Sequence, residues 1–420
     1  MLSSQGFHTF TIFLRLTYSE ALKLYKAFKC FKDVRVRPVK KDKNNPNALP
    51  HAYVVEYLDK GKGIRWYARF NDELSEFMQP SIDPRNPNYQ IEPRPYSIKA
   101  TINPKLFTGI RDYITAASSD CIDSVEEHFN AHVSGVSSVL GEFADYSMNR
   151  TDYCLNIDPI ELNMGCTADQ FLKLAKRADI PRHFKEQMKY SKKSHRMKPF
   201  ENDFRLNCNS LTISCYYKFA HLLQVFSECP DLEKSRNIIR FEVKYKYPKT
   251  YALSRSIREA LKKELSVEEA WDDFINGSSP NPMKLLLSDD LAADVVTKYF
   301  NKVIRKGDYF TLEGARWMVQ SQNFRRDKED RLFFALDVIN KHRGIAKAKS
   351  KLTGIDLKEF KRSLKDLDAI FVNPVTIPSK WNIPHIINPL RAYYKGIYAE
   401  QLITKDEYMF ERLLAEYLSN

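Results

Sequence analysis

The stretch Arg150-Thr151-Asp152-Tyr153-Cys154-Leu155-Asn156-Ile157-Asp158 alternates apolar and polar residues with a period of two, and only an extended strand has that period. Tyr153, Leu155 and Ile157 then share one face, while Arg150, Asp152, Cys154, Asn156 and Asp158 share the other. The segment from Asn237 to Lys246 repeats the pattern, with Ile239, Phe241 and Val243 inward and Arg240, Glu242 and Lys244 opposite them. In a third such segment, Leu211 to Lys218, the polar side carries Thr212, Ser214, Tyr216 and Lys218, and Tyr217 points inward. Antiparallel sheets with one solvated face alternate in this way, so the polar sides read equally as a solvent face or as one substrate-binding surface.

Around these segments the chain reads as an α+β protein. Phe7 to Leu16 is a strand, and Thr17 caps a helix through Glu20, Leu24 and Phe28. Arg35 to Pro50 reads as a basic loop. Ala52 to Leu58 and Ile64 to Phe70 flank Asp59-Lys60-Gly61-Lys62-Gly63, which has hairpin chemistry, and a Pro-rich loop leads to a strand over Tyr96 to Ile102. His128 and His132 stand at helical i, i+4 spacing without a third ligand nearby, the pattern of an ordinary helix face. A helix from Thr167 to Ala178 precedes a hairpin, Asp203 to Asn207 and Leu211 to Lys218, turning at Cys208-Asn209-Ser210. The expected architecture is an antiparallel-sheet N-terminal catalytic domain over residues 1 to 250, with helices on one face, followed by a mostly helical domain over 251 to 420. A Gly-Ser-Ser-Pro-Asn-Pro linker lies at 277 to 282.

Charge points to the partner. The chain carries 66 Lys and Arg against 53 Asp and Glu, a net charge of +13, which suits a polyanion. The excess concentrates between Lys173 and Lys198, where ten basic residues, among them Lys185, Lys189, Lys192, Lys193 and Arg196, face only Asp179 and Glu186, with Phe184 and Tyr190 interleaved. Cations neutralise phosphates and aromatic rings stack on unpaired bases, so this composition suits single-stranded DNA. Further on, a helix over Ile345 to Leu352, the break Thr353-Gly354-Ile355-Asp356 and a basic helix over Leu357 to Leu367 read as a helix-turn-helix that contacts duplex DNA through Lys358, Lys361, Arg362 and Lys365. Ala369 to Ile377 would form the strand of a wing. The seven cysteines include no C-x-x-C pair, and no apolar run approaches the roughly 20 residues of a membrane span, so the expected protein is cytoplasmic, with reduced thiols and no membrane partner.

Taken in order, Arg150-Thr151-Asp152, Tyr216-Tyr217-Lys218 and Arg240-Phe241-Glu242 resemble the spaced R-x-D, Y-x-K and R-x-E motifs of phage and plasmid rolling-circle replication initiators. The likeness is to the filamentous-phage-type and related plasmid proteins, and to relaxases without a histidine cluster. It implies a tyrosine that attacks one DNA strand at an origin, keeps the 5′ phosphate and releases a 3′ hydroxyl. On this resemblance Tyr216 is the nucleophile, with Tyr153 and Tyr190 as alternatives, and Lys218 and Arg240 steady the phosphate. Asp152 and Glu242, with Asp158, would hold Mg²⁺ or Mn²⁺. The partners implied are origin duplex, single strand and host replication proteins such as a helicase or polymerase. Two other readings stand beside it. In one the chain is a sequence-specific DNA-binding protein without catalysis; in the other it is a carboxylate nuclease or polymerase-like palm that makes no covalent adduct.

Overall fold

The computed structural model describes residues 2–39, 52–69, 81–83, 86–91, 96–191, 195–225, 231–264, 283–397 and 404–419. The strands in chain order are β1 (Gln5–Leu16), β2 (Val34–Val39), β3 (Ala52–Tyr57), β4 (Ile64–Arg69), β5 (Ser81–Asp83), β6 (Asn86–Ile91), β7 (Tyr96–Ile102) and β8 (Ser147–Ile157). They continue with β9 (Lys185–Glu186), β10 (Lys189–Ser191), β11 (Arg196–Lys198), β12 (Asp203–Asn207), β13 (Leu211–Tyr217), β14 (Ile239–Tyr245), β15 (Tyr309–Phe310) and β16 (His385–Ile386). From Met283 onward the chain is mostly helical. The class is α+β, as the alternating strands imply, and no described helix is long and apolar enough to cross a membrane. The linker at 277 to 282 lies outside the described residues.

The chain groups into two compact units, and neither is continuous in sequence. The first contains Gly6–Tyr153 and Lys244–Ala292; the second contains Met1–Gln5, Cys154–Val243 and Ala293–Asn420. Both β8 and β14 therefore contribute residues to each unit.

In the first unit the strand order is β2-β3-β4-β7-β1-β8, with antiparallel pairing from β2 through to β1. Arg35 to Val39, expected in a loop, form β2 against β3. Pro38 fits there because β2 ends the strand order, where a missing N–H breaks no ladder. The β3–β4 connection requires Gly63, which sits at φ +69°, where a Cβ would lie 2.3 Å from the backbone nitrogen of Phe107. Thr17 caps the helix Tyr18–Cys30 in a capping box with Glu20. Helix Ile122–Ser134 buries Ile122, Val125, Phe129 and Val133 at helical spacing. Its Phe129 ring meets Trp66 at 5.9 Å and Phe143 at 5.5 Å. One turn after Phe129, on the same side, the His132 Nε2 hydrogen-bonds the Tyr57 hydroxyl at 2.7 Å while the ring stacks on Trp66. Burial, with Lys62 nearby, pushes the His132 pKa down to about 4, so its role is packing.

In the second unit the order is β8-β14-β13-β12-β9, and the expected β12–β13 hairpin forms with Asp203 opposite Tyr216. Helix Ala168–Ala175 starts at a capping box between Thr167 and Gln170. The C-terminal helices enclose a core of Phe310, Met318, Leu336, Leu367 and Phe410. Ala369 to Ile377 does not become the strand of a wing. It returns beside Asp308 and Thr311, making isolated parallel bridges at Val372 and Ile377, because Asn373 is drawn inward to donate to the Ile304 and Gly307 carbonyls.

Asp308 ties this region together. Its fully buried carboxylate accepts from His385 Nε2 at 2.8 Å and from the backbone N–H of Asn388 at 2.8 Å, and it forms an ion pair with Arg391 Nη1 at 3.0 Å. Arg391 in turn pairs with Glu411 at 2.6 Å, which connects two C-terminal helices. Removing one partner of a buried ion pair strands the other charge in low dielectric. Asp308→Ala is therefore expected to lower stability by about 3–5 kcal/mol, read as a shift of the urea midpoint, whereas Asp327→Ala on the first turn of the helix Arg326–His342 should leave it nearly unchanged.

Candidate functional site

The polar side of β13 and β14 is interior. In β14 every residue but Lys244 is buried, on both faces, because Phe241 packs on Phe300 at 5.0 Å on one side and Arg240 and Glu242 are covered on the other. Tyr216 is only 9% exposed, and its hydroxyl donates to Glu242 Oε2 at 3.2 Å. The His221 ring lies 5.1 Å from the Tyr216 ring, so helix Lys218–Val225 covers the phenol directly. Arg240 is fully buried and donates from Nε to Asn156 Oδ1 at 2.7 Å, and Lys218 is buried beside them. Tyr217, expected inward, is the more exposed of the pair, with its hydroxyl donating to the Arg236 carbonyl. Tyr216, Arg240 and Glu242 thus lie together in a covered cluster.

That covering sets the chemistry. Burial, reinforced by the Glu242 carboxylate, raises the Tyr216 pKa well above its ordinary 10, away from the phenolate a nucleophile needs. Burial, together with Lys218, depresses the His221 pKa to about 4, so its imidazole is neutral in the fold.

The three proposed metal ligands are each engaged elsewhere. Asp152, in the first unit, accepts from Thr9 Oγ1 at 2.7 Å and from Arg150 Nη2 at 2.9 Å, with Lys244 Nζ at 3.4 Å. Asp158, in the second, closes its own turn by accepting from the backbone N–H groups of Ile160 at 3.0 Å and Glu161 at 3.3 Å. Glu242 holds the Tyr216 hydroxyl. Among the described residues no group of three or more His, Cys, Asp or Glu side chains is arranged to hold a metal ion. Each of these carboxylates thus has hydrogen-bond or ion-pair partners within the protein.

The accessible chemistry of the second unit lies on the β10–β11 hairpin. Lys189, Tyr190, His195, Arg196, Met197 and Lys198 are all exposed there, Lys185 is exposed on the preceding β9, and Lys192 and Lys193 lie outside the described residues. The Tyr190 hydroxyl is 3.3 Å from His195 Nδ1, and the ring is 55% exposed. Lys189 pairs directly with Lys198 across the hairpin, and Tyr190 with Met197. Like charges directly opposite destabilise a hairpin, and a bound phosphate relieves that repulsion. The sequence signal for this pair was the interleaving of Tyr190 with basic residues; His195 was not singled out.

A second cationic surface belongs to helix Gly354–Ala369, preceded by the short helix Ile345–Lys349. Phe360, Ser363, Leu364 and Leu367 face inward, and Arg331 anchors the flank through Asp366 at 2.6 Å and Ser363 at 3.0 Å. Lys358, Lys361, Arg362 and Lys365 remain exposed at i, i+3, i+4 and i+7 on the opposite face.

No family model and no curated protein matches this chain. Among solved structures, a rolling circle replication initiator protein from Geobacillus stearothermophilus aligns with 61% of this chain and 78% of its own, at 7% identity and a TM-score of 0.28.

A depressed histidine pKa has a definite sign. Because the folded pKa of His221 lies below its unfolded value of about 6.5, neutral His221 adds stability that is present above pH 6.5 and lost as pH falls through about 4. Proton NMR of the full chain should show His221 still neutral at pH 5.5, and His221→Gln should flatten the loss of stability between pH 6.5 and 4. Tyr216→Phe, which leaves Glu242 without that donor, should cost about 1–3 kcal/mol of stability.

Proposed function

We propose that this chain is a replication initiator of a phage or plasmid that holds single-stranded DNA on the β10–β11 hairpin and nicks it with Tyr190. The observation that carries the reading is an exposed phenol hydrogen-bonded to an imidazole among exposed cations. A nucleophile must reach a phosphodiester, and Tyr190 is open to one while Tyr216 is covered.

The chemistry balances with the side chains at hand. Tyr190 Oη attacks phosphorus as His195 Nδ1 takes the phenolic proton. The Oη–P bond forms and the P–O3′ bond breaks, leaving a 5′-phosphotyrosine and a departing 3′ oxygen that takes a proton from water, while the His195 imidazolium gives its proton back to solvent. Lys189, Arg196 and Lys198 offset the charge building on the phosphoryl oxygens. The free 3′ hydroxyl primes synthesis, and its attack on the phosphotyrosine reverses the step. The cluster of Tyr216, Glu242, Arg240 and Asn156 serves as the rigid interior that supports the adjoining β12. Helix Gly354–Ala369 presents its four cations to duplex DNA in the manner of a recognition helix.

The burial of Tyr216 favours a second reading, a DNA-binding protein without catalysis. The two part company in one experiment: incubation with a 5′- and 3′-labelled single strand of origin sequence in Mg²⁺ or Mn²⁺, followed by denaturing electrophoresis. Nicking by Tyr190 gives a covalent adduct that Tyr190→Phe abolishes, that His195→Ala slows about 10²- to 10⁴-fold, and that Tyr216→Phe retains. Loss of the adduct in Tyr216→Phe alone would move the nucleophile back to the interior. Binding without any adduct would leave the non-catalytic reading. For the duplex surface, the Lys358→Ala, Lys361→Ala and Arg362→Ala triple variant should flatten the slope of log K against log salt by about 2–3, near 0.9 for each phosphate that is no longer neutralised.

A further inference from the structure

The first unit holds a cavity of about 270 Å³ that the nicking chemistry does not use. Its wall is a row of residues on helix Tyr247–Glu264, with Phe13 of β1 facing them. Tyr247, Tyr251, Arg255 and Arg258 follow at i, i+4, i+8 and i+11, so they lie along one face over about 16 Å at 1.5 Å per residue. The Phe13 and Tyr247 rings are 5.6 Å apart, and the Tyr247 and Tyr251 rings 5.7 Å apart at an interplanar angle of 36°. Tyr251 is 56% exposed and Tyr247 39% exposed. Scattered exposed aromatics need no explanation, but here adjoining rings line a single cavity and run into two exposed guanidinium groups.

We infer that this cavity is a second binding site for single-stranded DNA, in which an unpaired base stacks on Tyr251 and Tyr247 and the neighbouring phosphates meet Arg255 and Arg258. The chemistry matches both halves of a nucleotide. A tyrosine ring offers a π-face to any base, and guanidinium forks suit phosphate oxygens, which gives affinity with little sequence preference. Glu259 pairs with Arg255 at 2.7 Å across solvent, an ion pair that an incoming phosphate replaces at little cost because exposed pairs contribute so little. An apolar peptide would fill the ring-lined part of the cavity and leave the arginines without a counterpart.

The inference rests on single-stranded DNA being the ligand, as proposed above, and not on nicking. In the full chain, Tyr251→Trp provides a fluorophore inside the cavity. Its emission should be quenched by a mixed-sequence 15-mer and not by an abasic 15-mer of the same length. Tyr251→Ala should weaken binding of the base-containing 15-mer by at least about 5-fold, while Tyr251→Phe, which keeps the ring, should stay within about twofold. A deoxynucleoside monophosphate that matches the 15-mer in quenching would mark the cavity as a nucleotide site and overturn the strand assignment. Equal quenching by the abasic strand, or unchanged affinity in Tyr251→Ala, would overturn the site altogether. Either failure leaves the Tyr190 adduct untouched, and absence of the adduct leaves the quenching untouched, so the two readings fall separately.

Discussion

A strand covered on both faces cannot leave its polar side chains to water, and β14 is such a strand. Arg240 and Glu242 had to find partners inside the protein, and they found Asn156 and Tyr216. Desolvating a guanidinium and a carboxylate costs several kcal/mol per ion, which hydrogen bonds and mutual attraction must offset. The cluster is therefore exacting: each group fixes the position of the next, and β8, β13 and β14 are held in one register by polar contacts as well as apolar ones. The same burial that makes it exacting withdraws the phenol from any large substrate.

Much of this was legible from the alternation of residues. The period of two located β8, β13 and β14 to within a few residues, and capping chemistry placed a helix start at Thr17. What the pattern could not convey is whether a polar face meets water or another element. Thr212, Ser214 and Tyr216 alternate as a solvated face would, yet helix Lys218–Val225 follows directly on β13 and lays His221 against Tyr216. The exchange of roles between Tyr216 and Tyr217 has the same origin, since both are aromatic and amphipathic and only tertiary packing decides which is covered. β2 was hidden for a different reason: Arg35, Arg37 and Pro38 have the composition of a loop, and only pairing with β3 makes them a strand.

Acids were misleading in a way that cations were not. A carboxylate on a strand is equally a metal ligand, a salt-bridge partner or a turn cap, and Asp152 and Asp158 proved to be the latter two. Lysines and arginines carry long stems that keep their charged ends in water, so a basic tract read from sequence tends to remain a basic surface in the fold. The β10–β11 hairpin and the face of helix Gly354–Ala369 both kept that character. Tyr190 and His195 sit within it, joined by a hydrogen bond that no spacing rule would have flagged.

The exposed hairpin and the covered cluster divide two demands that one site serves poorly. Precision comes from burial, and it raises the pKa of a phenol and closes it off; access comes from exposure, and it leaves cations such as Lys189 and Lys198 repelling each other across two strands. The repulsion is tolerable because water screens it. On the proposed function, a phosphate backbone bound at the hairpin would gain from the relief of that repulsion. On the function proposed above, the exposed phenol of Tyr190 lies open to a phosphodiester, and the neighbouring cations offset the charge that would build on its phosphoryl oxygens.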